Sequence, residues 1–139
     1  MNHTYHVGFT GTRFGMTDHQ RHLLTMKLSA IKARHGVVVF RHGDCLGADA
    51  EAHEIALDLG FSITIHPPIK AHLRAYCAAP GAVILRPKAY LERDMDIVDG
   101  SSCLIATPKT VMEERRSGTW ATIRYARRSG KPVTLLHPY

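Results

Sequence analysis

A single α/β domain, with a mostly parallel sheet and helices on both faces, is the fold class this sequence predicts. Strand-like and helix-like segments alternate along the chain. The strand-like runs are short, continuous and β-branched, as in strands buried on both faces. Glycines and hydroxyl residues gather where each strand hands over to a helix. Alternation of this kind gives right-handed crossovers and a Rossmann-like sheet. The 139 residues fit one domain spanning 1–139, and 45% hydrophobic content supplies a core without disulfides or a structural metal.

Residues 5–10 (Tyr-His-Val-Gly-Phe-Thr) form the first strand, closed by Gly11. Leu24, Leu28 and Ile31 recur at i, i+4, i+7 and mark a helix that Thr17 or Asp18 caps and Gly36 ends. Residues 37–40 are a central strand. Ala48, Ala52, Ile55, Ala56 and Leu59 make one apolar stripe on a second helix, which Gly60 stops. Residues 61–65 are the third strand. From 66 to 87 the pattern dissolves among Pro67, Pro68, Pro80, Gly81 and Pro87, with a short helix expected near 71–78. A loop this long in a small domain suggests function. Leu91, Met95 and Val98 define the next helix, followed by a strand at 103–106 and a polar connector at 109–116. Residues 119–128 are the last helix, with Trp120 and Ile123 inward, and 133–136 the last strand.

The formal charge of +6 points to an anionic partner, a phosphate-bearing small molecule or a nucleic acid. No aromatic run alternates with the arginines, so the footprint of a single-strand groove is missing. No apolar run nears 18 residues and no leader-like segment opens the chain, so no membrane span is expected. Cys45, Cys77 and Cys103 lack disulfide or Cys-x-x-Cys spacing and read as reduced thiols of a cytoplasmic protein. His3 with His6, and His42 with Cys45 and His53, are the close metal-type groups. Neither matches a structural zinc pattern, so no metal and no cofactor is assigned.

Four segments sit at the carboxyl ends of strands, where open parallel sheets bind ligands. Gly11-Thr12-Arg13 offers close backbone approach, a hydroxyl and a guanidinium fork, or else is an ordinary turn with an exposed arginine. His42 through Asp49 runs into the second helix. Gly43 and Gly47 allow tight backbone turns, the helix start at Ala48 would present free N–H groups to an anion, and Asp44 or Asp49 would hold a ribose hydroxyl or cap the helix. Arg93-Asp94 lies before the fourth strand, with Glu92 and Asp96 as alternative ion-pair partners for Arg93. Ser117-Gly118-Thr119 opens the last helix, as anion seat, N-cap or both. His53 follows Asp49 by four residues, which favours a hydrogen bond between them. Cys45, at a helix N-terminus, would favour its thiolate, a weak nucleophile signal.

In order and spacing these segments resemble the SLOG superfamily, which joins the DNA-processing protein DprA (Smf) with the LOG, or lysine decarboxylase-like, phosphoribohydrolases. Gly8-Phe-Thr-Gly-Thr-Arg13 is similar to the DprA opening strand and turn. Gly43-Asp-Cys-Leu-Gly-Ala-Asp49 followed by His53 resembles its Gly-Ala-x-Gly-x-Asp-x-x-x-His segment, and Arg93-Asp94 stands where the two groups have Arg-Asn and Arg-Lys. Arg116-Ser-Gly-Thr-Trp-Ala-Thr-Ile-Arg-Tyr-Ala126 is closest to small stand-alone YspA-like members. The resemblance implies a nucleotide or nucleotide-derived ligand, bound by the residues named above. The catalytic glutamate of the LOG group falls on Thr122 here. A nucleotide N-glycosidase would therefore need Asp44, Asp49, Asp94, Glu113 or Glu114 in its place, and a DprA-like DNA-binding protein is a third reading. The resemblance also implies homo-oligomers paired through helices. Trp120 with Tyr90, Leu91 and Met95 would form that interface, unless Trp120 packs on its own sheet.

Overall fold

The computed structural model describes residues 3–139. Six strands form one sheet in the order β4-β3-β2-β1-β5-β6, and every pairing is parallel. They are β1 (Tyr5–Gly11), β2 (Val38–His42), β3 (Ser62–Ile65), β4 (Val83–Ile84), β5 (Cys103–Thr107) and β6 (Val133–Leu135). The helices are α1 (Asp18–His35), α2 (Ala48–Asp58), α3 (Tyr90–Asp99) and α4 (Gly118–Arg128). α1 and α2 pack together on one face, where Leu24, Leu28, Ala52 and Ala56 meet Val7, Phe9 and Phe40. α3 and α4 pair on the other, where Trp120, Ile123 and Val98 meet Leu104 and Ala106. β1 pairs with β2 on one side and β5 on the other, so the crossovers reverse direction between β1 and β5. That reversal opens a crevice at the carboxyl edge.

Thr17 caps α1 through a full capping box with Gln20. Gln20, 1% exposed, donates to the carbonyls of Pro108 and Leu136 at 2.8 and 2.9 Å and so ties α1 to the ends of β5 and β6. Trp120 is 3% exposed and packs on its own sheet, which removes it from the expected subunit interface. Leu91 and Met95, in contrast, are exposed. The buried side of α3 is Arg93, Asp94, Ile97 and Val98, so the Leu91-Met95 stripe marks its outer edge.

The stretch at 66–87 is ordered by bonds rather than by an apolar stripe. Its helix shrinks to a 3₁₀ turn at Ala71–Leu73, and β4 adds a short edge strand that periodicity cannot show. Asp44, fully buried at φ 55°, accepts from Arg74 Nε at 2.6 Å and from the Cys77 N–H at 2.8 Å. A histidine relay runs beside it. The Asp44 N–H donates to His42 Nδ1 at 3.0 Å, which places the His42 proton on Nε2. Nε2 then donates to His53 Nδ1 at 3.0 Å, and His53 Nε2 donates to the Ala78 carbonyl at 3.0 Å. His53 is therefore bonded to His42 and Ala78 and not to Asp49. His42, His53 and Cys77 bring ligand-type atoms within 4.8 Å of one another. Because the Asp44 N–H holds the His42 proton on Nε2, that nitrogen is a donor in the relay rather than a free metal ligand.

Burial pushes His42 down to about 3 and His66 down to about 4. The unfolded chain thus binds protons at these sites below about pH 6.5 that the folded chain refuses, and their contribution to stability falls as pH drops. Asp49 has the opposite sign, because burial raises its carboxyl to about 7. Asp49→Asn removes that opposing term. Denaturant titrations between pH 7 and pH 4.5 should show a loss of stability with acid that is steeper in the variant, by up to about 1.4 kcal/mol per pH unit. An unchanged or shallower slope in the variant would contradict the buried, proton-holding Asp49.

Candidate functional site

A cleft of about 1200 Å³ lies at the carboxyl edge, over the point where the crossovers reverse. The end of β1 and the turn after it supply Gly11, Thr12, Arg13 and Phe14; the turn after β2 supplies Gly43, Cys45 and Leu46, and the first turn of α2 supplies Asp49. The start of α3 adds Tyr90, Arg93 and Asp94. The segment after β5 adds Lys109 and then Glu114 through Thr119. The structure thus brings Gly11, Thr12, Arg13, Gly43, Asp49, Arg93, Ser117, Gly118 and Thr119 into one cleft, together with the carboxylates Asp94 and Glu114.

Asp44, Gly47 and Ala48 do not line it. Asp44 is spent on Arg74 and Cys77. The Ala48 N–H donates to the Thr12 carbonyl at 2.9 Å, so the α2 N-terminus is partly plugged by the chain itself. Gly47 has φ 91°, and a Cβ there would overlap the backbone of Arg13. The close approach fastens the β1 and β2 turns to each other. Asp49 does not cap α2. Its Oδ2 reaches back to accept the Cys45 N–H at 3.1 Å.

Arg93 is the buried centre of the site, 3% exposed. Its Nε donates to Asp94 Oδ1 at 2.7 Å and its Nη1 to the Gly43 carbonyl at 2.5 Å, with His66 O at 3.3 Å. Glu92 and Asp96, the partners suggested by sequence proximity, pair with Lys88 instead. Desolvation raises the carboxyl of Asp94, and the Arg93 charge opposes that rise. Cys45 Sγ lies 3.6 Å from Arg93 Nη1, yet burial dominates and raises its thiol. The thiolate expected at a helix N-terminus is therefore disfavoured. Thr122, at the place of the LOG glutamate, is 2% exposed and donates to the Gly118 carbonyl at 2.9 Å. Glu113 is spent on a surface pair with Arg124 at 2.8 Å.

Ser117 caps α4 by accepting the Trp120 N–H at 3.3 Å. The N–H groups of Gly118 and Thr119 precede the first intrahelical acceptors and border the cleft. A Cβ on Gly118 would overlap the Tyr90 hydroxyl, so glycine lets α3 and α4 close around the helix start. Five exposed cations line the same cleft: Arg13, Lys70, Lys109, Arg115 and Arg116. Sequence reasoning singled out only Arg13 among them as a ligand contact. Loop cations carry no periodic signal, and their placement after β3 and β5 was the available clue. The other lining residues it missed are mostly apolar or aromatic, among them Phe14, Leu46, Ile69 and Tyr90.

Among the described residues no helix is long and apolar enough to cross a membrane. No protein-family model matches the chain, and no curated protein does. Solved structures do match. A molybdenum cofactor binding protein from the phototrophic bacterium Rippkaea orientalis aligns over 97% of this chain and 77% of its own, with TM-score 0.72 and 20% identity. The Moco carrier protein from Chlamydomonas reinhardtii aligns over 96% and 76%, with TM-score 0.66 and 21% identity. DNA processing protein A (DprA) from Streptococcus pneumoniae aligns over 95% of this chain and 50% of its own, with TM-score 0.67 and 18% identity. At these identities the likeness is one of fold alone: this chain shares with these proteins a single Rossmann-like α/β domain built on a parallel sheet.

Proposed function

We propose that the cleft binds a phosphorylated heterocycle, a nucleotide or nucleotide-derived small molecule, with its phosphate among Arg13, Arg116 and the start of α4. The observation that carries this reading is the convergence of five exposed cations and the α4 N-terminus on one cleft where the crossovers reverse. Two of the structural neighbours are a molybdenum cofactor binding protein and a Moco carrier protein, which supports a small-molecule ligand for a cleft on this fold. Thermal shift with nucleoside mono- and diphosphates, ADP-ribose and cyclic dinucleotides tests it. A ligand at 100 times its Kd adds about 2.7 kcal/mol, and Arg116→Ala should remove most of that gain. If no phosphorylated compound raises the melting temperature, the reading falls. Single-stranded DNA that binds with log affinity falling roughly 0.7 per phosphate contact per log unit of salt would favour the DprA-like reading instead.

A second reading has its own observation. Asp49 borders the cleft with its carboxyl raised to about 7, a proton donor near neutrality. Cleavage of an N-glycosidic bond in a nucleoside 5′-monophosphate would then use Asp49 with Asp94 or Glu114. Free base measured by chromatography, lost in Asp49→Asn, supports it; bound nucleotide that stays intact removes it. For assembly, Tyr90, Leu91 and Met95 leave the outer edge of α3 apolar and exposed, and we propose self-association there. Light scattering of Met95→Asp against the parent chain tests it: a monomer in both would end the idea.

A further inference from the structure

We propose that Phe14 is the stacking platform for the planar heterocycle of the ligand, an inference that rests on the phosphate-binding reading of the cleft. Phe14 is 77% exposed, whereas the other phenylalanines, Phe9, Phe40 and Phe61, are all buried in the core. It is not alone. Leu46 is 49% exposed and Ile69 64% exposed, and the three come from three separate segments to line the same cleft. A cleft that carries cations on one part and an apolar shelf on another suits an amphipathic ligand, charged at one end and flat at the other.

The ring is held in place by its backbone. The Phe14 N–H donates to Thr12 Oγ1 at 3.2 Å, and the Gly15 N–H closes the turn onto the Thr12 carbonyl at 3.2 Å. Gly15 takes φ 95°, and the next N–H, of Met16, is fixed by Glu51 Oε1 at 2.6 Å. An aromatic presented on a pinned turn needs little further ordering when a ligand arrives. Its face is already in use as a π surface. Lys109 Nζ lies 4.8 Å from the ring centroid, reaching across from the segment after β5. An exposed cation–π contact is weak. A heterocycle would take the ring face, and the displaced ammonium would turn to the phosphate that the heterocycle carries.

The test uses calorimetry on the full chain with the four nucleoside 5′-monophosphates and with ribose 5-phosphate, which has the phosphate and sugar but no base. The parent chain should prefer its best nucleotide over ribose 5-phosphate by about tenfold or more, the order of a base–aromatic stack. Phe14→Ala should erase that preference and leave ribose 5-phosphate within about twofold of its parent affinity. Phe14→Trp should keep the preference, and its exposed indole should be quenched by the nucleotide and not by ribose 5-phosphate. Trp120, 3% exposed, supplies only a constant background. Equal weakening of both ligands in Phe14→Ala, or no change in either, overturns the proposal. Equal binding of both by the parent chain overturns it while the anion cleft stands. If neither binds, the cleft reading itself fails and the platform goes with it.

Discussion

Arg93→Met is expected to destabilise the fold by about 3–5 kcal/mol, a drop in melting temperature of roughly 10–15 °C for a chain of this size. The loss comes from what the arginine leaves behind. Asp94 and Asp49, 7% and 6% exposed, would remain buried without the cation that offsets their desolvation. The Gly43 carbonyl would lose its donor as well. A packing defect and an uncompensated charge differ in pH response. Protonating the two acids relieves the second and does nothing for the first, so the deficit of Arg93→Met should shrink as pH falls from 7 to 5. Differential scanning calorimetry at both values reads this directly, and a deficit that stays constant would show that the charges are not the cause. Arg93→Lys keeps a cation and loses the fork, and should fall between the two.

Asp44→Ala should cost about 3 kcal/mol and loosen the segment at 66–87 before the rest of the fold. Its carboxylate satisfies Arg74, 18% exposed in its side chain, and the N–H of Cys77. Unpaired buried donors cost about 1–3 kcal/mol each. Hydrogen exchange should show the amides of Ala75 and Cys77 losing protection. The Cys77 thiol, pushed up to about 12 first by burial and then by Asp44, should become reactive to a thiol reagent at neutral pH. Asp44→Asn separates two contributions, because asparagine tolerates the φ of 55° and keeps one acceptor. Cys77 as unreactive in Asp44→Ala as in the parent chain would mean the segment is held by other bonds.

Asp44 also shows what a sequence hides. Nothing local distinguishes an acid aimed at a ribose from one aimed at Arg74, thirty residues on. The small-residue stripe of α2 was legible because Ala48, Ala52 and Ala56 all face the sheet. α3 was legible as a helix and misread in its facing. Apolar periodicity counts Leu91 and Met95, whereas the helix buries a charged pair, Arg93 and Asp94, beside Ile97 and Val98. β4 gave no signal because a two-residue edge strand with both side chains exposed has no period to display. The turn glycines at 11, 43 and 118 pointed to the cleft, since each marks a close approach between segments. The cations at 70, 109, 115 and 116 did not, because lysine and arginine in loops are ordinary until their neighbours in space are known.

The two sides of the cleft are held by different means. The side made by residues 11–15, 43–49 and 66–87 is an anvil, cross-braced by Asp44, the histidine relay and the contact of Gly47 with Arg13. The connector at 109–116 rests on surface bonds, Arg124 to Glu113 at 2.8 Å and Thr110 to Glu114 at 3.2 Å. Lengthening a surface loop costs chain entropy that grows slowly with its length, while the same edit in the anvil breaks buried bonds. A lineage adapting this cleft to a larger or smaller molecule therefore has one inexpensive stretch of chain to edit, and drift in ligand preference need not wait on changes that endanger folding.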